Sequence, residues 1–356
     1  MAETNFPSVN GPICPIPLVH ADTIVMGHGS GGKMTNDLIR LVFQKHFNNS
    51  YLAAGNDFAL TQVPAGDGRL SISTDAHIVS PLFFPGGDIG KLAVCGTVND
   101  MSMSGAKPLY LTASFILEEG LAIADLEKVV ISMQTAADEA GVTIIAGDTK
   151  VVEKGKGDGI FISTSGVGWN TSEHNIAGNM AKPGDAVLIS GTLGDHGIAI
   201  LAARGDLGFE TNIQSDVAPL NELISDILAE TPEIHVFRDP TRGGLATTLN
   251  EIALQSSIGI IVHENHIPIN DTVRSACEML GFDPLYIANE GKLIVIAPAE
   301  YQQVILETMK RHKYGQNAAV IGEVVDKHPG RVIMRTYIGT TSILDVMSGE
   351  MLPRIC

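Results

Sequence analysis

Residues with chemistry to offer are spread along the whole chain, and a glycine-rich stretch comes first. GHGSGGK, from Gly27 to Lys33, stands directly before the helical run MTNDLIRLVFQKHF. Glycines ahead of a helix let backbone N–H groups approach phosphate oxygens, and the helix start adds positive potential. Gly29, Ser30, Gly31, Gly32 and Lys33 are therefore candidate phosphate contacts. The lysine is not followed by Ser or Thr, so the arrangement is not a Walker loop; taken alone, the stretch is equally well explained as a flexible turn. An acidic set follows: Asp57 in AGNDFAL, Asp75 in SISTDAHIVSP, Asn99 with Asp100 in GTVNDMSMSGAKP, and Asp148 in IIAGDTKVV. Asp75 and Asp148 each read as the end of an apolar strand entering a loop, where a sheet delivers side chains to a common edge. Carboxylates gathered there would repel one another unless a cation held them. Magnesium on triphosphate oxygens meets that need, because it takes hard oxygen ligands and keeps waters and phosphates in its shell. Singly, each aspartate is better explained by capping a helix or turn; the four in this arrangement shift the balance toward a cation site.

Further along, FRDPTRGGLATTLNEIA places Arg242 and the pair Gly243 and Gly244 before a helix, again a geometry that favours anions. Asp239 as a helix cap behind a proline turn is the competing explanation. In LYIANEGKLIVIAP, Glu290 precedes an apolar strand, beside Lys292. The chain ends MLPRIC, so Cys356 is the last residue. Prenylation requires the cysteine four places from the end and is excluded. A thiol on a tether is reactive only if the body supplies something for it to react with.

The elements that must position these groups follow an α/β pattern. At 356 residues, with 38 glycines, 44% apolar and 5% aromatic residues, the chain suits two α/β domains rich in tight turns. The net charge of −17 argues against a nucleic-acid or anionic-membrane surface. Cys14, Cys95, Cys277 and Cys356 form no CxxC pair, which speaks against a structural zinc or disulfide framework and suits a reducing cytoplasm. The start carries no signal-peptide pattern, and its prolines mark an extended arm over residues 1–20. Strand-like and helical runs alternate over 21–170 and again over 171–338, where AKPGD opens the second half. Residues 339–356 read as a tail, whose final stretch of about 17 residues could reach up to roughly 55 Å if fully extended. Cys95 lies in a helical run and is expected to pack as a small apolar side chain.

Taken in order and spacing, GHGSGGK, STD, GTVNDMSMSGAKP, AGDTKVV and DPTRGGLATTLNEIA resemble the aminoimidazole-ribonucleotide-synthetase superfamily of ATP-binding enzymes. With the terminal Pro353-Arg354-Ile355-Cys356, the chain is most similar to the HypE family of hydrogenase maturation proteins within it. The resemblance runs from Asp22 to the last residue; one departure is Asn56 before Asp57, where relatives often carry a paired acid. It implies a two-domain, PurM-like α/β (α+β) fold. The N-terminal domain would dimerise through its sheet in a barrel-like interface, and the C-terminal domain would cover the nucleotide. It further implies ATP and Mg2+ as cofactors, the metal held by Asp57, Asp75, Asp100 and Asp148, with Asn99, Arg242 and Gly243 joining the glycine stretch at the nucleotide. Cys356 would receive a carbamoyl group from a HypF-type carbamoyltransferase. Dehydration with ATP to a thiocyanate would follow, and cyanide would pass to iron on a HypC–HypD complex. Glu290 is implied as base and Lys150 as a polarising or relay group. Two other readings remain: a small-molecule phosphotransferase such as thiamine-monophosphate kinase or selenophosphate synthetase, and a scaffold that uses the tail only for docking.

Overall fold

The computed structural model describes residues 22–56, 58–171, 175–205, 212–346 and 355. The N-terminal arm with Cys14, Asp57, and the tail residues 347–354 and 356 with Cys356 lie outside the described residues. The strands are β1 (Arg69–His77), β2 (Phe83–Phe84), β3 (Gly87–Asp88), β4 (Lys107–Glu118), β5 (Thr143–Val152), β6 (Ile160–Asn170) and β7 (Asp185–Ile189). There follow β8 (Val236–Arg238), β9 (Gly259–His263), β10 (Ile294–Pro298), β11 (Ala319–Val325), β12 (Arg331–Arg335) and β13 (Thr341–Leu344).

The first sheet has the order β1-β6-β4-β5, with β4 and β5 parallel and the other pairs antiparallel. Alternation along β4 and β6 sends Leu111, Ala113, Phe115 and Ile162 inward. The helices Ile89–Ser102 and Ile123–Ala140 pack with this sheet into one apolar core. Ile89–Ser102 begins at Asp88, whose side chain accepts from the N–H groups of Gly90 and Lys91, and it is buried along almost its whole length. A helix apolar on every side must be covered on every side. Its far end meets the second half, where the Asn99 side-chain amide donates to Ala218 O at 3.0 Å. The opposite face of the sheet is left open, with Ile72 70% exposed and Leu70 and Ile116 also exposed.

The second sheet has the order β13-β12-β9-β11-β7-β10-β8, antiparallel except for the β9–β12 pair. Its central strands β7 and β10 are buried on both faces and read as continuous apolar runs, as a two-sided sheet demands. The helix Gly244–Ser256 covers one face; Asn221–Glu230 and Gln302–Arg311 cover the other.

Two details differ from the sequence expectations. β1 runs on past Asp75 to His77, and β5 past Asp148 to Val152, so both aspartates sit within strands rather than at loop entries. Both strands are sheet edges, where polar side chains extend a strand without being buried. The tail also starts later than residue 339, because Thr341–Leu344 pairs with β12. Beyond it, Ile355 returns to the first half: it bridges Val79 and is only 7% exposed, packed in the N-terminal core. Cys95 is fully buried in that core, as expected of a small apolar side chain, and desolvation pushes its thiol pKa up.

Candidate active site

Four acidic residues converge in a cleft between the two halves. Asp75 from β1, Asp100 from the helix Ile89–Ser102, Asp239 just after β8, and Glu290 ahead of β10 line one small cavity together with Arg242. Asp100, Asp239 and Arg242 also border an adjacent cavity of about 460 Å³. Ser73 donates its hydroxyl to Asp100 Oδ2 at 2.8 Å, and Arg242 Nη2 stands 4.0 Å from Asp75 Oδ1. Gly96 lets the helix approach this closely, since a Cβ there would fall 2.9 Å from His77 Cε1 and 3.3 Å from Asp75 Oδ2. The conformations of Gly243 and Gly244, φ 75° and 60°, shape the turn that carries Arg242.

The electrostatics of this cluster describe a site short of positive charge. Burial, and then repulsion by Asp75, raises the pKa of Asp100. Burial followed by Asp100 lifts Asp239 to about 7. Glu290, 5% exposed, is held well above the usual carboxylate range by burial, then by Asp216, Asp239, Asp75 and Asp100. Its buried Oε1 has no hydrogen-bond partner among the described residues. Buried carboxylates that disfavour one another's ionised form, with an orphaned buried oxygen, fit a divalent cation and its phosphate ligands. Among the described residues no three ligating side chains stand together closely enough to hold a metal ion by themselves.

Glu290 is fixed rather than solvated. Its N–H donates to Asp216 Oδ1 at 3.0 Å, and its carbonyl accepts from Asn99 Nδ2 at 3.4 Å. Lys292, also buried, places Nζ 3.1 Å from Asp216 Oδ2 and 3.7 Å from Asp195 Oδ2. Asn289 accepts from Gly194 N–H and donates to Pro240 O. Asn99, expected at the nucleotide, is engaged otherwise: Leu220 N–H donates to its Oδ1, so both ends of its amide tie the two halves together.

The glycine stretch lies elsewhere on the first half. Gly31 N–H donates to Thr35 Oγ1, Ser30 caps back onto Gly27 O, and exposed Lys33 opens a helix continuing through a π turn to His46. Gly29 packs against β5 so tightly that a Cβ would meet Val151 N at 2.8 Å. Beside it is a cavity of about 210 Å³, lined by Ile39, Phe43 and Phe115 and rimmed by Asp148 and Lys150. Lys150 Nζ pairs with Asp148 Oδ2 at 2.9 Å, both exposed. Asp75 and Asp148 are not brought together. Asp75 is level with Thr164, Ala113 and Gly147, whereas Asp148 is level with Ser114, Ser163 and Ala76. They point to opposite faces from opposite edges, three strand spacings or roughly 14 Å apart.

Sequence reasoning missed Asp239 as a member of the cluster, seeing in it only a cap. It also missed Asp216 and Lys292, the ion pair that holds Glu290. The signal available for Asp239 was its place directly after a strand and before Pro-Thr-Arg-Gly-Gly. No helix among the described residues is long and apolar enough to cross a membrane.

Known proteins place this architecture. Residues 55–169 match the family described as AIR synthase related protein, N-terminal domain, and residues 182–335 its C-terminal domain. The chain is 54% identical to the carbamoyl dehydratase HypE of Cupriavidus necator over 95% of its own length and 96% of that protein's. It is 48% identical to a crystal structure of the hydrogenase maturation protein HypE in complex with ATP, with a TM-score of 0.90, covering 94% of this chain and 100% of that one. A HypE–HypF complex is similar at 53% identity and a TM-score of 0.76, covering 87% of this chain and 99% of that one. On this fold and these identities, the chain belongs to the HypE family of carbamoyl dehydratases, within the AIR synthase related proteins.

Proposed function

We propose that the chain carries out the reaction its relatives are named for, the ATP-dependent dehydration of an S-carbamoyl group on Cys356 to a thiocyanate that supplies cyanide for hydrogenase maturation. The observation that carries this is where the end of the chain returns. Ile355, next to the terminal cysteine, docks on Val79 and His196, and the helix bearing His196 contacts Ala288, two residues from Glu290.

The chemistry sets the demands. The carbamoyl oxygen leaves poorly as hydroxide, so it first attacks the γ-phosphorus of ATP, ADP departs, and the oxygen becomes part of a phosphate ester. Loss of both N–H protons then forms the C≡N bond as the C–O bond breaks; one proton accompanies the inorganic phosphate and one goes to solvent. Magnesium, when bound, neutralises phosphate charge during the transfer. In this reading Asp75, Asp100, Asp148 and Asp57 supply oxygen ligands, with Asp239 beside them. Gly29 to Lys33 and the Arg242–Gly243 turn face phosphate oxygens. Glu290 takes the amide protons, and a cation held among these carboxylates would favour the ionised form that a base requires. Lys150 serves as the polarising group, and Asn99 acts at the nucleotide only indirectly, by fixing the segment that carries Glu290.

The reading extends to partners and setting. Cys356 accepts its carbamoyl group from a HypF-type carbamoyltransferase and delivers cyanide to a HypC–HypD complex, in the cytoplasm. The protein works as a homodimer, with the exposed Leu70, Ile72 and Ile116 face as the contact; apolar surface of this kind and the separation of Asp148 from Asp75 within one chain both support this. The test is direct. Carbamoylated protein incubated with ATP and magnesium is digested and its C-terminal peptide weighed. Loss of the mass of one water, abolished in Cys356→Ala with ATP binding retained, is expected. ATP turnover with an unchanged peptide would overturn the dehydratase reading in favour of a kinase, and absence of turnover would leave the scaffold.

A further inference from the structure

Nothing in the reaction above assigns a role to the buried imidazole of His196, yet among the described residues it meets the backbone of Ile355. His196 is 0% exposed, on the first turn of the helix Asp195–Arg204. Its Nε2 lies 2.5 Å from the carbonyl oxygen of Ile355, and its Nδ1 lies 2.7 Å from Ser215 Oγ. Phe84 packs edge-on against the ring at 5.6 Å. The tautomer follows from the partners. Ser215 Oγ accepts the N–H of Val217 at 3.1 Å, so its own hydroxyl proton is free to point at Nδ1. With Nδ1 accepting, the neutral ring carries its proton on Nε2, and a carbonyl is an acceptor only. Burial lowers the imidazole pKa and thereby keeps the ring neutral.

The neighbours of this contact are the neighbours of Glu290. Ser215, which orients His196, is followed by Asp216, which accepts from the Glu290 N–H and pairs with Lys292. Gly197, which follows His196, donates to Ala288 O at 3.3 Å, and Gly194 donates to Asn289. One two-residue bracket thus braces the tail anchor through Ser215 and the carboxylate loop through Asp216.

We propose that His196, its tautomer set by Ser215, is the positioning residue for the carrier tail: Nε2–H grips the Ile355 carbonyl and fixes the register in which the chain end docks beside the bracket that braces the Glu290 loop. The inference rests on the dehydratase reading for its purpose, but the docking contact is independent of that chemistry. Ile355 supplies adhesion through its buried side chain, while His196 supplies register, because a hydrogen bond to one specified carbonyl admits one alignment where an apolar slot admits several. A tail held one residue out of register would still dock and would present the wrong atom.

The experiment separates the two layers. Alkylation of Cys356 by iodoacetamide in the intact, uncarbamoylated protein, followed on the C-terminal peptide by mass spectrometry, reads docking without reference to ATP. Single-turnover dehydration of the carbamoylated protein reads register. His196→Leu is expected to speed alkylation of Cys356 and slow dehydration, each on the order of tenfold, with nucleotide affinity unchanged. His196→Gln, whose amide can reach the Nε2 position as a donor, is expected to recover most of both, a rescue that a merely structural role would not produce. Ile355→Ala combined with His196→Leu should be less than additive for alkylation. Should His196→Leu misfold, Ser215→Ala tests the same claim from the other side of the ring and is expected to move both readouts in the same direction more weakly. Unchanged alkylation and unchanged dehydration in folded His196→Leu would overturn the proposal. So would equal loss in the Leu and Gln variants. Loss of all dehydration in wild type with alkylation behaving as described would instead count against the dehydratase reading and leave the anchor standing.

Discussion

At the scale of single residues, the carboxylate proposed as the base is held in a form that works against stability. Glu290 is buried, its Oε1 lacks a partner among the described residues, and four carboxylates repel its ionised form. Its folded pKa lies above the unfolded value of 4.5. The folded state therefore holds the proton more tightly, and stability is lost as pH rises from 4.5 through the folded pKa. Glu290→Gln keeps the shape and removes that liability. In buffer containing a chelator, the variant should melt at or above the wild-type temperature, with the gap growing as pH rises above 4.5. The same variant should lose a factor of about 10² to 10⁴ in single-turnover dehydration while still binding ATP. A variant that melts lower than wild type at high pH would show that the carboxylate is satisfied in the folded protein. Asp216, by contrast, is held low by the Lys292 ammonium against its own burial. Asp216→Asn should accordingly be costly, leaving Lys292 buried without its nearest partner, by about 3–5 kcal/mol for a broken buried pair.

At the scale of elements, the motifs were legible where the local pattern is strong and obscure where two distant elements must meet. GHGSGGK before a helix and DPTRGG before Gly244–Ser256 appear in the structure where spacing placed them, because glycine punctuation and the 3.6-residue period are local signals. Asp75 and Asp148 were misplaced as strand ends because edge strands tolerate polar residues, so the end of the apolar run does not mark the end of the hydrogen-bonded ladder. The orientation of each aspartate depends on register across four strands, and no single stretch of sequence contains register. Asn99 looked like a ligand contact for a similar reason: its partners Ala218 and Leu220 are more than a hundred residues away in the chain. His196 and Ile355 are further apart still. Packing of the glycine loop on β5 gives a sharper test of element geometry. In Gly29→Ala the new Cβ would fall 2.8 Å from Val151 N, a backbone atom that cannot swing aside. The loop must shift by a few tenths of an ångström. We expect ATP affinity to fall by roughly tenfold or more, since donors displaced from phosphate lose charge-assisted hydrogen bonds of about 1.5–3 kcal/mol, while the melting temperature moves little. Isothermal titration with ATP and magnesium checks it, and unaltered affinity would remove the loop from the phosphate site.

At the scale of the whole molecule, the four-stranded sheet decides whether the proposed site can be built within one chain. Asp75 lies on the helix-covered face at the β1 edge, and Asp148 with Lys150 lies on the open face at the β5 edge. The open face also carries Leu70, Ile72 and Ile116, so burying it against a second copy is favourable at about 25 cal/mol per Å² of apolar surface removed from water. In such a dimer, Asp148 of one chain and Asp75 of its partner can belong to the same site. Ile72→Asp should shift the protein toward monomer in light scattering and lower ATP turnover together with it. Complementation decides whether the site is shared. Asp75→Asn and Asp148→Asn, each expected to be inactive by itself, are mixed under conditions that allow subunits to exchange. If the site takes one aspartate from each chain, a heterodimer contains one intact site and one doubly altered site. Random exchange makes half the dimers heterodimers, so turnover should recover to about one quarter of wild type by that statistical count. If each chain builds its own site, every site in the mixture remains defective and nothing recovers. Recovery near a quarter would place Asp148 across the interface from Asp75, whereas zero recovery with exchange verified by mass spectrometry would confine each nucleotide to one chain and demand that the sheet edge rearrange to bring Asp148 in.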